Sequence, residues 1–395
     1  MTPPDSHPRR WRILALVACA ELLGMSLWFT ATAVSPHLAA LWDLDAGQTG
    51  WLTTSVQLGF VAGTGVAAAL SLADAAPVRV YFGLAALLGA SANAALLAAP
   101  GYRWALVLRF LTGAFLAGIY PPALKMIATW FRSARGLALG TVVGALTAGK
   151  ATPYLVRALA PESYRVVILT ASAGTLLAGA AVAIWYRDGP FSFPRRPFSW
   201  SLAGAVLRDR GSRLAIAGYL GHMWELYAMW TWVPAFIAAS LAAGGERAAS
   251  AEAIAFGAIA SGGLGCLWGG WQADRIGKER LVVVAMVASG ICCLIVGFTF
   301  GAATWLTACA VWVWGFFVVA DSAQFSAIVT EVAPPHAVGT ALTLQTCLGF
   351  LLTTLTIQLV PVLVEAWSWR WAFVALALGP AAGCAAIGRL TARRW

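Results

Sequence analysis

Charge is scarce in this chain: only 11% of its 395 residues are Asp, Glu, Lys or Arg, while 60% are hydrophobic. Soluble domains carry about a quarter of their residues as charges, so a soluble fold is excluded and an integral membrane protein is indicated. Acids are rare, with eight glutamates and eight aspartates, and any acid inside an apolar run has to be explained. The sequence also lacks a glycine-rich phosphate loop, a nucleophile elbow and a paired His-Glu metal motif. Those absences exclude direct ATP coupling and the hydrolase chemistries that such motifs carry. All seven cysteines (Cys19, Cys266, Cys292, Cys293, Cys309, Cys347 and Cys384) fall within apolar runs without metal-ligand spacing, so no disulfide frame, zinc site or cofactor is expected.

What is present is apolar sequence in repeated lengths. Runs of about 20 residues, enough for about 30 Å of hydrocarbon, recur near 12–36, 48–72, 79–99, 104–130, 136–159, 165–186, 212–240, 253–272, 280–300, 303–329, 338–363 and 370–390. They predict an all-α membrane protein of twelve transmembrane spans. The first run follows Arg9, Arg10 and Arg12 but has no small-residue cleavage site, so it reads as a retained span rather than a signal peptide.

The net charge of +10 is explained by topology. With a cytoplasmic N-terminus, eighteen of the Lys and Arg residues in the loops and at the span ends fall on the cytoplasmic side and five (Arg103, Arg157, Arg165, Arg247, Arg370) on the other. That asymmetry follows the positive-inside rule. It predicts a multi-pass protein of the bacterial inner membrane with both termini in the cytoplasm, and removes the need for a nucleic-acid partner.

The longest polar connection, RDGPFSFPRRPFSWSLAGAVLRDR at 187–210, divides the chain into two six-helix bundles, 1–186 and 212–395, joined by a cytoplasmic linker at 187–211. The halves look duplicated. ELLGMSLW (21–28) in the first span and ELYAMWTW (225–232) in the seventh share the pattern E-L-x-x-M-x-x-W. After the second and eighth spans, SLADAAPVRV (71–80) aligns with GWQADRIGKERL (270–281), placing Asp74 opposite Asp274. RGLAL (135–139) aligns likewise with VGTAL (338–342).

GWQADRIGKER resembles the G-x-x-x-D-R-x-G-[RK]-x-[RK] signature of the major facilitator superfamily, through Gly270, Asp274, Arg275, Gly277, Lys278 and Arg280. LRFLTGAFLAG (108–118) is similar to that family's R-x-x-x-G pattern in helix four, carried by Arg109 and Gly113. The resemblance implies two pseudo-symmetric six-helix bundles that rock about a midplane site, with gating loops at Asp74 and at 270–280. It also implies that spans 1, 4, 7 and 10 line a central cavity. The first gating loop lacks the Gly and the Asp-Arg pair. Span 5, GTVVGALTAGKATP (140–153), lacks the Gly-Pro of the drug/proton antiporter signature. Bacterial nitrate/nitrite and cyanate permeases are similar too, and Arg109 and Lys150 would suit an anion. Nitrate porters clamp their anion with arginines in spans two and eight, where this sequence has none.

Ionisable residues within spans are Glu21, Arg109, Lys125, Lys150, His222, Glu225 and Asp321. Such groups usually face a bundle interior or an aqueous cavity. Helical spacing puts Glu21, Met25 and Trp28 on one stripe and Glu225, Met229 and Trp232 on another, so two acids with two aromatic walls are expected to line the cavity. A cation over indole would be one natural ligand. Structural ion pairs would use the same residue types. Lys125, near a helix end, could simply snorkel; His222 could equally be a hydrogen-bonded interior histidine or a proton carrier, and with Asp321 it is placed in the expected proton and substrate pathway. A carboxylate poised between burial and a neighbouring base can carry a proton, so Glu21 or Glu225, modulated by Arg109 and Lys150, is expected to couple proton movement to transport. The leading expectation is a monomeric, proton-coupled secondary transporter of a small solute. The alternatives are a proton-antiport exporter of organic cationic or aromatic compounds and, in another class, a receptor or assembly factor built on a transporter scaffold.

Overall fold

A computed structural model describes residues 7–72, 76–191, 199–246 and 250–392; Asp74, expected in the first gating loop, lies outside them. Among the described residues the regular structure is entirely helical. Ten helices among the described residues are long and apolar enough to cross a membrane: Ala46–Ala69, Val78–Ala98, Tyr102–Ala128, Tyr164–Trp185, Arg210–Ala243, Ala251–Ile276, Lys278–Thr299, Thr304–Val332, Pro335–Trp367 and Trp369–Thr391. They correspond to spans 2, 3, 4, 6 and 7–12. Span 5 is the helix Arg135–Leu159, which carries Lys150 and Arg157, and span 1 is Arg9–Met25 continued by the short helix Thr30–Ala33. These two are the least uniformly apolar, and both contribute to the site.

Local chemistry fixes several helix starts. Asp45 and Gln48 form a reciprocal capping box at the head of span 2, with Gln48 N donating to Asp45 Oδ1 at 2.7 Å and Asp45 N donating to Gln48 Oε1 at 2.9 Å. Asp209 starts span 7 by accepting from Ser212 N at 2.7 Å. Within 187–211, Trp200–Arg208 forms a short helix whose Val206 is buried, so this connection is partly structured.

The packing repeats with a shift of six spans. Span 2 packs on 4 as 8 does on 10, span 3 on 6 as 9 on 12, span 1 on 5 as 7 on 11, and span 1 on 6 as 7 on 12. Close approaches repeat as well. A β-carbon on Gly113 would strike the Val56 backbone in span 2, and one on Gly315 would strike Ala258 in span 8. In lipid, such small-residue contacts hold helices together because burial of apolar surface gives no advantage there. The two halves meet along span 5 against span 8 and span 2 against span 11.

The outer surface fits hydrocarbon: Leu177, Leu264 and Phe298 are exposed, while Glu21, Arg109, Lys150, Glu225 and Asp321 are buried. Within the spans, these charges therefore lie inside and apolar side chains outside.

Candidate functional site

The first polar centre sits where span 1 breaks. Its helix ends at Met25, passes through a turn at 26–29 and resumes at Thr30. Broken helices at membrane depth need partners for their freed backbone groups. Arg109 provides them from span 4: its Nη2 donates to the carbonyl oxygens of Leu27 at 3.1 Å and Trp28 at 2.5 Å. Its Nη1 donates to Asn93 Oδ1 in span 3 at 3.0 Å. Asn93 in turn donates to Ser172 Oγ and the Ile168 carbonyl in span 6. Arg109 thus ties spans 3, 4 and 6 to the break.

The second centre lies at the junction of the halves. The Lys150 ammonium, on span 5, stands 4.1 Å from the ring centre of Trp28, 4.7 Å from Tyr227 and 5.1 Å from Trp230, and donates to the Tyr227 hydroxyl. Phe60 and Phe350 back the Trp28 ring at 5.1 and 5.6 Å, and Phe29 backs Trp230 at 6.2 Å. The cage draws on spans 1, 2, 7 and 11 and is almost sealed: Trp28, Tyr227 and Trp230 are at most 2% exposed and Lys150 3%. Ring faces attract a desolvated ammonium with about 2 kcal/mol.

Glu21 is fully buried in span 1, one turn before Met25, and its carboxylate lies within electrostatic range of Lys150. Neither of its oxygens has a hydrogen-bond partner among the described residues. Gly149 makes this proximity possible. A β-carbon there would run into the Leu22 backbone, so glycine lets span 5 press against span 1 beside both charges.

The remaining charges lie apart from this pair. Glu225, the counterpart of Glu21, turns into the second half, where it accepts from Trp314 Nε1 at 2.5 Å, Ser289 Oγ at 2.9 Å and Cys293 Sγ at 3.1 Å. His222 Nδ1 lies 2.9 Å from Asp321 Oδ1, both buried, and Asp321 occupies the junction between the two helices of span 10. Met25 and Met229 are buried. Trp232 donates to the Ile357 carbonyl at 2.7 Å, binding span 7 to span 11 rather than joining the cage. Lys125 is half-buried. Among the described residues, no cluster of His, Cys, Asp and Glu could hold a metal ion.

Spans 5 and 8, one from each half, also meet toward both of their ends. At the basic end, the Asp274 carboxylate lies beside Gly136, at the N-terminus of span 5, 3.7 Å from where a β-carbon would stand, a favourable place for an anion. Gly277 ends span 8 at a φ of 90°, a conformation that favours glycine. Lys278 pairs with Glu331, the Arg275 guanidinium lies 3.5 Å from the Trp271 ring centre, and Gly270 is buried while Arg280 is exposed. At the opposite end, Arg157 of span 5 donates to the Ala33 carbonyl and pairs with Glu252 of span 8 at 3.2 Å. There the Gln358 amide also lies 3.0 Å from Thr54 Oγ1.

Sequence reasoning singled out Glu21, Lys150 and Trp28 but missed Tyr227, Trp230, Phe60 and Phe350. At 12% of the chain, aromatics are too common for any one to stand out. Tyr227 and Trp230 do stand inside the E-L-x-x-M-x-x-W repeat of span 7, at two of its variable positions, and that is the available signal.

Two like helical halves enclosing a sealed, charged cage define a membrane transporter fold. A family model described as Major Facilitator Superfamily matches residues 16–355 and 253–394, and the chain belongs to that family: it is a transporter, not an enzyme. Among solved structures it is similar to a bacterial homologue of the human lysosomal transporter Spinster in an inward-facing, occupied conformation. That likeness has 15% identity and a TM-score of 0.71, over 98% of this chain and 97% of the other. It is similar also to the D323A mutant of the nucleoside transporter NupG, with 12% identity and a TM-score of 0.72, over 96% and 99%. No curated protein sequence matches the chain.

Proposed function

We propose that the protein moves a small solute by alternating access and couples that movement to protons through Glu21 and Lys150. The observation that carries this reading is a buried carboxylate without a hydrogen-bond donor, set within range of a buried ammonium that is held by aromatic rings. Two arrangements are then open. In one, Glu21 is protonated and Lys150 rests in the cage; in the other, Glu21 is ionised and Lys150 swings to pair with it. Moving between them takes up or releases one proton.

Glu225, the other candidate, already accepts from three donors, so its environment supports a fixed structural role. The contacts at the two ends of the cage serve as alternate gates: Asp274 beside span 5 at one end, Arg157–Glu252 and Gln358–Thr54 at the other. The basic end faces the cytoplasm of a bacterial inner membrane in this reading, and a single chain suffices because both halves of the site lie within it.

The test is proton flux in liposomes carrying a pH gradient and a lumenal pH dye, challenged with small anions, organic acids and organic cations. The wild type should show proton flux dependent on one solute class, and Glu21→Gln should lose it while still exchanging that solute at equal pH. Solute-dependent proton flux that survives in Glu21→Gln would refute the assignment.

A further inference from the structure

The cage is built for an ammonium, and its present occupant belongs to the protein. The rings of Trp28 and Trp230 and the edge of Tyr227 surround the Lys150 nitrogen, their centres within 5.1 Å, and its hydrogen-bond acceptor is the Tyr227 hydroxyl rather than a carboxylate. Ring quadrupoles and one hydroxyl recognise a cation with little demand on its shape. Span 5 supplies the lysine, while spans 1 and 7 supply the rings. The lysine and the ring walls therefore belong to different helices.

The lysine also has a second place to go. Glu21 is buried with both oxygens unpartnered, and Lys150 lies in its electrostatic range. The indole N–H groups of Trp28 and Trp230 are buried and unpartnered as well, so these rings are held by packing and not by hydrogen bonds that a ligand would have to break.

We propose that the transported solute is an organic cation, an ammonium group on an apolar body, and that Lys150 is a tethered surrogate which the solute displaces from the ring cage onto Glu21. The displaced lysine pairs with an ionised Glu21, so the Glu21 O–H bond breaks and its proton leaves to water as the cation enters. One positive charge enters and one leaves, which makes the cycle an electroneutral exchange of organic cation for proton. The proposal rests on the proton-coupled reading above and adds to it the substrate class and the direction of coupling.

Binding of benzyltrimethylammonium to purified full-length protein in nanodiscs tests it, followed by tryptophan fluorescence and by a pH dye in weak buffer. Its uncharged analogue neopentylbenzene and the anion phenylacetate serve as comparisons. The wild type should bind the cation alone and release about one proton per cation bound. Lys150→Ala, freed of the internal competitor, should bind the cation about tenfold more tightly, and Glu21→Gln, which leaves the displaced lysine no anion to pair with, should bind it more weakly and with no proton release. Phenylacetate binding in its place, with loss of all binding in Lys150→Ala, would make Lys150 an anion ligand and overturn the proposal. So would cation binding by the wild type without proton release. The wild-type measurements decide the matter even if a variant misfolds. Failure here is also distinct from failure of the transport reading: Glu21-dependent proton flux driven by an anion would leave coupling intact and remove only the cation.

Discussion

Arg109 reaches from span 4 to the carbonyl oxygen of Trp28 in span 1, 2.5 Å from its guanidinium. The contact has two consequences. It satisfies the backbone where span 1 is interrupted, and it fixes the residue whose ring forms the nearest wall of the Lys150 cage. A charge that in sequence invites a substrate role here donates to two backbone carbonyls and to Asn93.

Arg109→Ala should accordingly destabilise the protein as a whole. Three buried acceptors would lose their donor, at about 1–3 kcal/mol for each one left unsatisfied. Thermal unfolding of the purified variant should show a clear fall in Tm, and an unchanged Tm would mean that the break is held by other contacts.

Gly149→Val tests whether span 5 must lie flush on span 1. Its side chain would collide with the Leu22 backbone, and relieving the clash by parting the helices costs about 1–3 kcal/mol. Both Tm and solute-dependent proton flux should fall. Gly204→Val, at a position where a β-carbon meets nothing within 4 Å, should leave both unchanged.

The twin acids should respond differently. Glu225→Gln leaves one carbonyl oxygen for three donors and places an amide N–H₂ among them, which should cost about 1–3 kcal/mol. It should lower Tm while keeping the proton stoichiometry of any surviving transport. Glu21→Gln removes no hydrogen bond and should barely move Tm, yet should abolish proton coupling. The crossed comparison of Tm with proton flux in the two variants separates a structural acid from a coupling one.

Alternating access predicts that locking one end stops turnover. Cysteines replacing Thr54 and Gln358, whose side chains lie 3.0 Å apart, should be bridged by a short bifunctional thiol reagent when Cys19 and Cys309, both exposed, are first changed to Ser. Transport should cease on bridging and return on cleavage. Full transport in the bridged protein would show that this end stays closed throughout the cycle.

The fold was legible because its signals are local or repeated: apolar length, basic asymmetry and the doubled E-L-x-x-M-x-x-W motif all survive in single sequence. The site was legible only in part. The proximity of Glu21 to Lys150 depends on how closely span 5 approaches span 1. Only Gly149 hints at that approach, among 40 glycines. The divergence of Glu225 from its twin is set by Ser289, Cys293 and Trp314 on spans 9 and 10, none of which carries a charge that would draw notice. The break in span 1 is equally hidden, because the turn at 26–29 contains neither proline nor glycine and depends on a guanidinium 81 residues away.

The central claim, that Glu21 and Lys150 together carry the coupled proton, is tested most directly by counting protons exchanged per solute in liposomes for the wild type and Glu21→Gln side by side. The account predicts about one proton per solute for the wild type and none for Glu21→Gln, with solute exchange preserved in both. An unchanged count in Glu21→Gln would contradict it.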